Sequence, residues 1–119
     1  MNPVTTNTTD NATEYTAKIG LMYVSDYGFA AEPSAWTLTM GNYNNTTATS
    51  TNWMYMGLYE WTISRAADRS NGAFRVSGGG SVNNLSVRNS NAVRPSFSLL
   101  SSVTYSKGDG TQNSPIRIN

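Results

Sequence analysis

Residues 52–65 read NWMYMGLYEWTISR. Trp53, Tyr55, Tyr59 and Trp61 alternate there with Met54, Met56, Leu58 and Ile63, the most aromatic stretch of the chain. Large aromatic and aliphatic side chains at this density are core material in a small domain. Trp53 and Trp61 are therefore expected to be mostly buried, as are Phe74 and Phe97. Glu60 is the one carboxylate inside the stretch. A buried carboxylate needs a cation, because an isolated buried charge costs several kcal/mol. Arg94 is its first expected partner and Arg65 its second.

Working outward, 17–27 (AKIGLMYVSDY) is β-prone and ends on a Tyr-Gly turn signal, so it predicts a strand. A short helix across 28–36, interrupted by Pro33, is expected to follow. Residues 44–52 (NNTTATSTN) predict a polar loop. Beyond Arg65 the composition changes. Residues 66–91 hold five Ser, five Asn, four Gly and three Arg, with Phe74, Val76, Val82, Leu85 and Val87 spaced through them. Two-residue spacing suits short strands with one buried face. Gly78-Gly79-Gly80 and Asn83-Asn84 read as turns. Residues 92–100 form a strong strand candidate, 108–111 a loop and 115–118 a last short strand. The fold class expected is α+β: short antiparallel strands, few helices and long loops. Residues 1–13 read as a disordered spacer and 14–119 as the domain.

Composition narrows the chemistry. The 119 residues include no Cys and no His. That removes thiol nucleophiles, disulfides, the usual general base and the usual transition-metal ligands. Gly78-Gly79-Gly80 lacks the Lys-Ser/Thr that completes a phosphate cradle. Asp109 between two glycines lacks the spaced acidic partners of a calcium loop. The reading is not an enzyme, with no cofactor and no metal. Charged residues make up 13% of the chain, about half the usual share. No apolar run approaches the roughly 18 residues of a membrane span, and the start of the chain is not a signal peptide. Residues 1–60 carry one cation and five anions; 61–119 carry seven cations and two anions. The cations are scattered single residues rather than a basic cluster, which argues against nucleic acid and for complementarity between the halves.

The tract 66–91 also contains no Lys, Glu, Gln, Met or Trp. An AAC codon whose two adenines become any base reaches fifteen residue types, and those five are not among them. Tyr59-Glu60-Trp61-Thr62, the Gly-rich middle and Val93-Arg94-Pro95 together resemble the C-type-lectin-like domains of the formylglycine-generating-enzyme superfamily. KIGLMYVSDYGFAA, NWMYMGLYEWTISR and NAVRPSFSL resemble Firmicutes surface and pilin-like domains more closely, over most of 18–115. Several such domains look like variable proteins of diversity-generating retroelements, in which adenine-directed mutagenesis rewrites exposed codons. The enzymes of the superfamily use cysteines with copper; this chain has none, so that activity is expected to be absent.

The resemblance implies a C-type-lectin-like fold with its N- and C-terminal strands side by side. It implies a surface-displayed ligand-binding domain, an adhesin or receptor-binding module, whose tract 66–91 is diversified. Phe74, Val76, Val82 and Val87 would anchor the tract. The variable, ligand-binding positions would be Ser70, Arg75, Ser77, Ser81, Asn83, Asn84, Ser86, Arg88, Asn89 and Asn91, pointing outward together. The expected partner is a protein or glycan on another cell or surface, and the expected location is extracellular, at the cell surface or on a phage particle. The alternative is a structural pilin or phage-tail module without diversification.

Overall fold

The computed structural model describes residues 17–119. The expected spacer, 1–13, and the first residues assigned to the domain lie outside them. Elements follow in the order β1 (Gly20–Leu21), α1 (Val24–Phe29), 3-10 turns at Pro33–Thr37 and Met40–Asn42, α2 (Thr46–Thr51), β2 (Glu60–Arg65), β3 (Gly72–Val76), β4 (Val82–Ser86), β5 (Pro95–Ser96), β6 (Tyr105–Lys107) and β7 (Arg117–Ile118). This is a small mixed domain with few helices and antiparallel strand pairs, the α+β class expected.

The central sheet has the order β2-β3-β4. Its register pairs Glu60 with Val76, Trp61 with Arg75, Arg75 with Asn83 and Phe74 with Asn84, with a bulge between Trp61 and Arg65. Successive side chains in a strand point to opposite faces. One face therefore carries Glu60, Thr62, Phe74, Val76 and Val82, which are buried or half-buried. It packs on the helical side of the molecule, where Met22, Tyr27, Ala30, Ala31, Ala35, Tyr43, Ala48 and Met54 complete the core. The core is built largely of alanines and tyrosines, so helices and turns approach the sheet closely.

Four local readings of the sequence are corrected. Residues 17–27 give a strand of only two residues and then a helix. The Asp26 carboxylate accepts a hydrogen bond from Tyr23 N–H at 2.7 Å and caps that helix. The expected polar loop at 44–52 contains α2. Asn45 Oδ1 accepts from Ala48 N–H at 2.8 Å, and the hydroxyls of Thr49, Ser50 and Thr51 donate to carbonyls four residues back. Asn83 and Asn84 lie within β4, because the single turn between β3 and β4 is made by residues 77–81. Residues 92–100 contribute just two strand residues.

The aromatic core is also smaller than expected. Trp53 is 79% exposed and Phe97 65% exposed, while Trp61 and Phe74 are half-buried. Trp53 stands between two buried residues. Asn52 is held inside by its own amide, which donates to Tyr27 C=O at 2.8 Å and accepts from Met54 N–H at 2.9 Å. That local turn sends the indole outward. The N-terminal strand β1 pairs with β5, whereas the last strand, β7, pairs with β6. The expected adjacency of the first and last strands is therefore corrected: the neighbour of β1 is β5, and β7 closes a separate hairpin with β6.

Candidate functional site

Two structural devices position the Gly-rich turn and with it the face of the sheet. The first is a pair of tyrosines. Tyr27, fully buried, donates its hydroxyl to Gly80 C=O at 2.8 Å, and Tyr55 donates to Gly78 C=O at 2.9 Å. Gly80 has a φ of +95°, and a Cβ there would lie 2.6 Å from the Thr49 methyl and 3.0 Å from Tyr43 C=O. The triple glycine is a seat for tyrosine hydroxyls against α2. Burial pushes the Tyr27 phenol up to about 12, aided by the neighbouring Tyr55 and the Glu60 carboxylate. Burial also raises Tyr43, whose hydroxyl reaches Gly28 C=O.

The second device is the expected ion pair. Glu60 is 3% exposed. Arg94 Nε donates to its Oε1 at 3.1 Å, Nη2 donates to its Oε2, and Nη2 also donates to Met54 C=O at 2.8 Å. Ala92 N–H donates to Tyr59 C=O and Trp61 N–H to Ala92 C=O, tying the segment after β4 to the start of β2. Asn91 is thereby placed beside the outward face of the sheet.

That face holds Tyr59, Trp61, Arg75 and Asn83. Arg75 lies across it with its guanidinium carbon 4.6 Å from the centre of the Tyr59 ring. Its Nε donates to Asn83 Oδ1 at 3.0 Å and its Nη1 to Asn91 Oδ1 at 3.1 Å. The arginine is held at two of its three guanidinium nitrogens and lies over an aromatic ring, a preorganised cation. Tyr, Trp and Arg are the residue types that dominate binding hot spots; Tyr and Trp present a large contact area with few rotamers to lose, and Arg75 is restrained here by its hydrogen bonds.

The ten expected variable positions do not form one outward set. Arg75, Asn83 and Asn91 come together on the outer face. Ser70, Arg88 and Asn89 are exposed at one end of the sheet, where Val87 N–H donates to Asn71 C=O. Ser77, Ser81, Asn84 and Ser86 belong elsewhere. Ser77 is 9% exposed, which corrects the expectation that it is displayed. It opens the tight turn, sharing a 2.9 Å hydrogen bond with the Ser81 hydroxyl while its N–H donates to Ser81 C=O. Asn84 and Ser86 alternate with Asn83 and so share the side of Phe74 and Gly72. Among the anchors, Val76 and Val82 are buried and Phe74 half-buried, but Val87 is exposed. Val82, Asn84 and Ser86 point inward, so Val87 just past the strand points out.

Sequence reasoning missed Tyr59 and Trp61 as surface residues by treating every aromatic there as core. The alternation Tyr59-Glu60-Trp61-Thr62-Ile63 carried the signal. Once Glu60 is committed to a buried pair, its neighbours must face the other way.

Among the described residues no three Asp or Glu side chains come together as a metal site, and no helix is long and apolar enough to cross a membrane. A cleft of about 280 Å³ is lined by Lys107, Gly108, Asn113, Ser114, Pro115 and Arg117 of the β6–β7 hairpin. No family model, curated protein or solved structure matches the chain.

Proposed function

We propose that this is a ligand-binding display domain on a C-type-lectin-like scaffold, extracellular or carried on a phage particle, whose outer sheet face makes the contacts. The observation that carries the reading is the convergence of Arg75, Asn83 and Asn91 over Tyr59. Three positions singled out as variable meet around one preorganised cation, on a face that the core does not use. Ser70, Arg88 and Asn89 extend the variable set at the end of the sheet. Ser77, Ser81, Asn84 and Ser86 support the turn and the core side instead. The scaffold assignment is supported by the α+β class and by the early strand β1 lying beside the late strand β5. No residue is assigned a catalytic role.

Diversification is tested by sequencing the gene from independent isolates. The reading expects NNC codons that vary at their first two bases for Arg75, Asn83 and Asn91, together with Ser70, Arg88 and Asn89, opposite adenines of a near-identical template repeat beside a reverse transcriptase gene. Silent or scattered changes, with no repeat, would contradict it.

One observation favours the structural-module alternative. Phe97, Leu99, Leu100, Tyr105, Ile116 and Ile118 are all exposed along the C-terminal segment. A neighbouring subunit in a fibre or tail would cover such a segment. The same sequencing separates the two readings, since a purely structural module has no hypervariable codons.

A further inference from the structure

We propose that the Arg75 site takes a carboxylate-bearing ligand; this rests on the outer face being the binding surface and names the chemistry that the face selects. A guanidinium offers five N–H donors and no acceptor. Asn83 occupies Nε and Asn91 occupies one hydrogen of Nη1, both through neutral amide oxygens. The remaining hydrogens of Nη1 and Nη2 have no acceptor among the described residues. The carboxylates paired with arginine there are Asp68, with Arg69, and Glu60, with Arg94. The charge on Arg75 is therefore balanced by none of them.

Asn91 serves to hold the arginine. Its Oδ1 faces Arg75, and its Nδ2 is buried with no hydrogen-bond partner. Turning the amide over would set its NH₂ against the guanidinium, donor against donor, so the orientation is fixed by Arg75. That buried NH₂ is out of a ligand's reach, so the donors offered here are those of the Arg75 guanidinium.

Nη2 is the guanidinium nitrogen that neither asparagine engages, and a planar carboxylate is the group that pairs with such a fork. Stacking on Tyr59 fixes the plane of the fork, so little freedom is lost when the pair forms. The groups that hold Arg75, namely Asn83, Asn91 and Tyr59, are neutral. A single uncompensated cation suits a monoanion better than a doubly charged phosphate, which draws clustered arginines. An acidic peptide side chain and a sugar acid both supply the required group.

The test is a titration of the full ¹⁵N-labelled chain, followed by NMR, with four probes: a blocked tetraglutamate peptide, its tetraglutamine counterpart, sialyllactose and lactose. At least one acidic probe is expected to shift the Arg75 Nε–H resonance and the amides of Arg75, Asn83 and Asn91. Its affinity should fall about tenfold or more in Arg75→Gln, less in Arg75→Lys, and should weaken with added salt. Tetraglutamate alone assigns the site to acidic peptides, and sialyllactose alone assigns it to sugar acids. Equal shifts from a neutral counterpart would overturn the carboxylate inference while leaving the binding face standing. Silence of the face toward both acidic probes, or binding indifferent to Arg75→Gln, would overturn it as well. The display reading is judged separately, by gene variation and by tolerance of the face to substitution.

Discussion

Glu60 shows how one residue orders its neighbours. Its carboxylate faces inward and is met by the fork of Arg94, so Tyr59 and Trp61 must face outward. The pair also joins the acidic and basic halves of the chain, since Glu60 lies in the first and Arg94 in the second. Glu60→Ala leaves a half-buried guanidinium without its counter-ion and is expected to destabilise the fold by about 3 kcal/mol in urea unfolding. Arg94→Ala should cost a similar amount, and the double variant less than the sum of the two. A Glu60→Ala chain that unfolds at the wild-type midpoint would show that the pair contributes nothing. The pairing was legible in the sequence, because a lone acid among aromatics demands a cation. The outward turn of Trp53 was not. It depends on both ends of the Asn52 amide finding backbone partners, which no local pattern announces.

At the scale of elements, strand alternation accounts for most of the corrections. The spacing of Phe74 and Val76 was legible as one buried face, and it fixed β3. Leu85 and Val87 carry the same spacing but occupy the opposite face, because Val82 had already set the inward phase of β4. Helix α2 was illegible by composition, since Thr and Ser are poor helix formers; it is held by the Asn45 cap and by hydroxyls bonded back to carbonyls. The Gly-rich turn yields two predictions. Gly80→Ala combines a left-handed φ with a backbone oxygen and a methyl at clashing distance. A loss of roughly 3 kcal/mol or more is expected from strain and overpacking together, read as a fall in the thermal midpoint. Gly41→Ala, with open space around it, serves as the neutral control. The second prediction concerns pH. Tyr27 has a raised value in the folded state, about 12 against 10.0. The unfolded chain therefore releases this proton first. Stability is whole below pH 10 and falls as pH rises toward 12, by about 2 to 3 kcal/mol. Tyr27→Phe should flatten that alkaline loss in denaturant titrations at a series of pH values, at the cost of the hydrogen bond to Gly80. An unchanged alkaline slope would contradict the assignment to Tyr27.

Across the whole molecule, the core sits between the helical side and one face of the central sheet, leaving the other face with Tyr59 and Asn83 exposed and Trp61 and Arg75 half-buried. Surface substitutions usually change stability by under about 0.5 kcal/mol, whereas core substitutions cost several times more. A domain with so small a core accepts random side chains only where nothing is buried. The outer face and the adjoining sheet end are expected to form such a surface. The most direct measurement compares two libraries by protease resistance and sequencing. One randomises Ser70, Arg75, Asn83, Arg88, Asn89 and Asn91; the other randomises Thr62, Val76, Ser77 and Val82. The account predicts that most members of the first library stay folded and most of the second do not. Equal loss of folding in both libraries would contradict it.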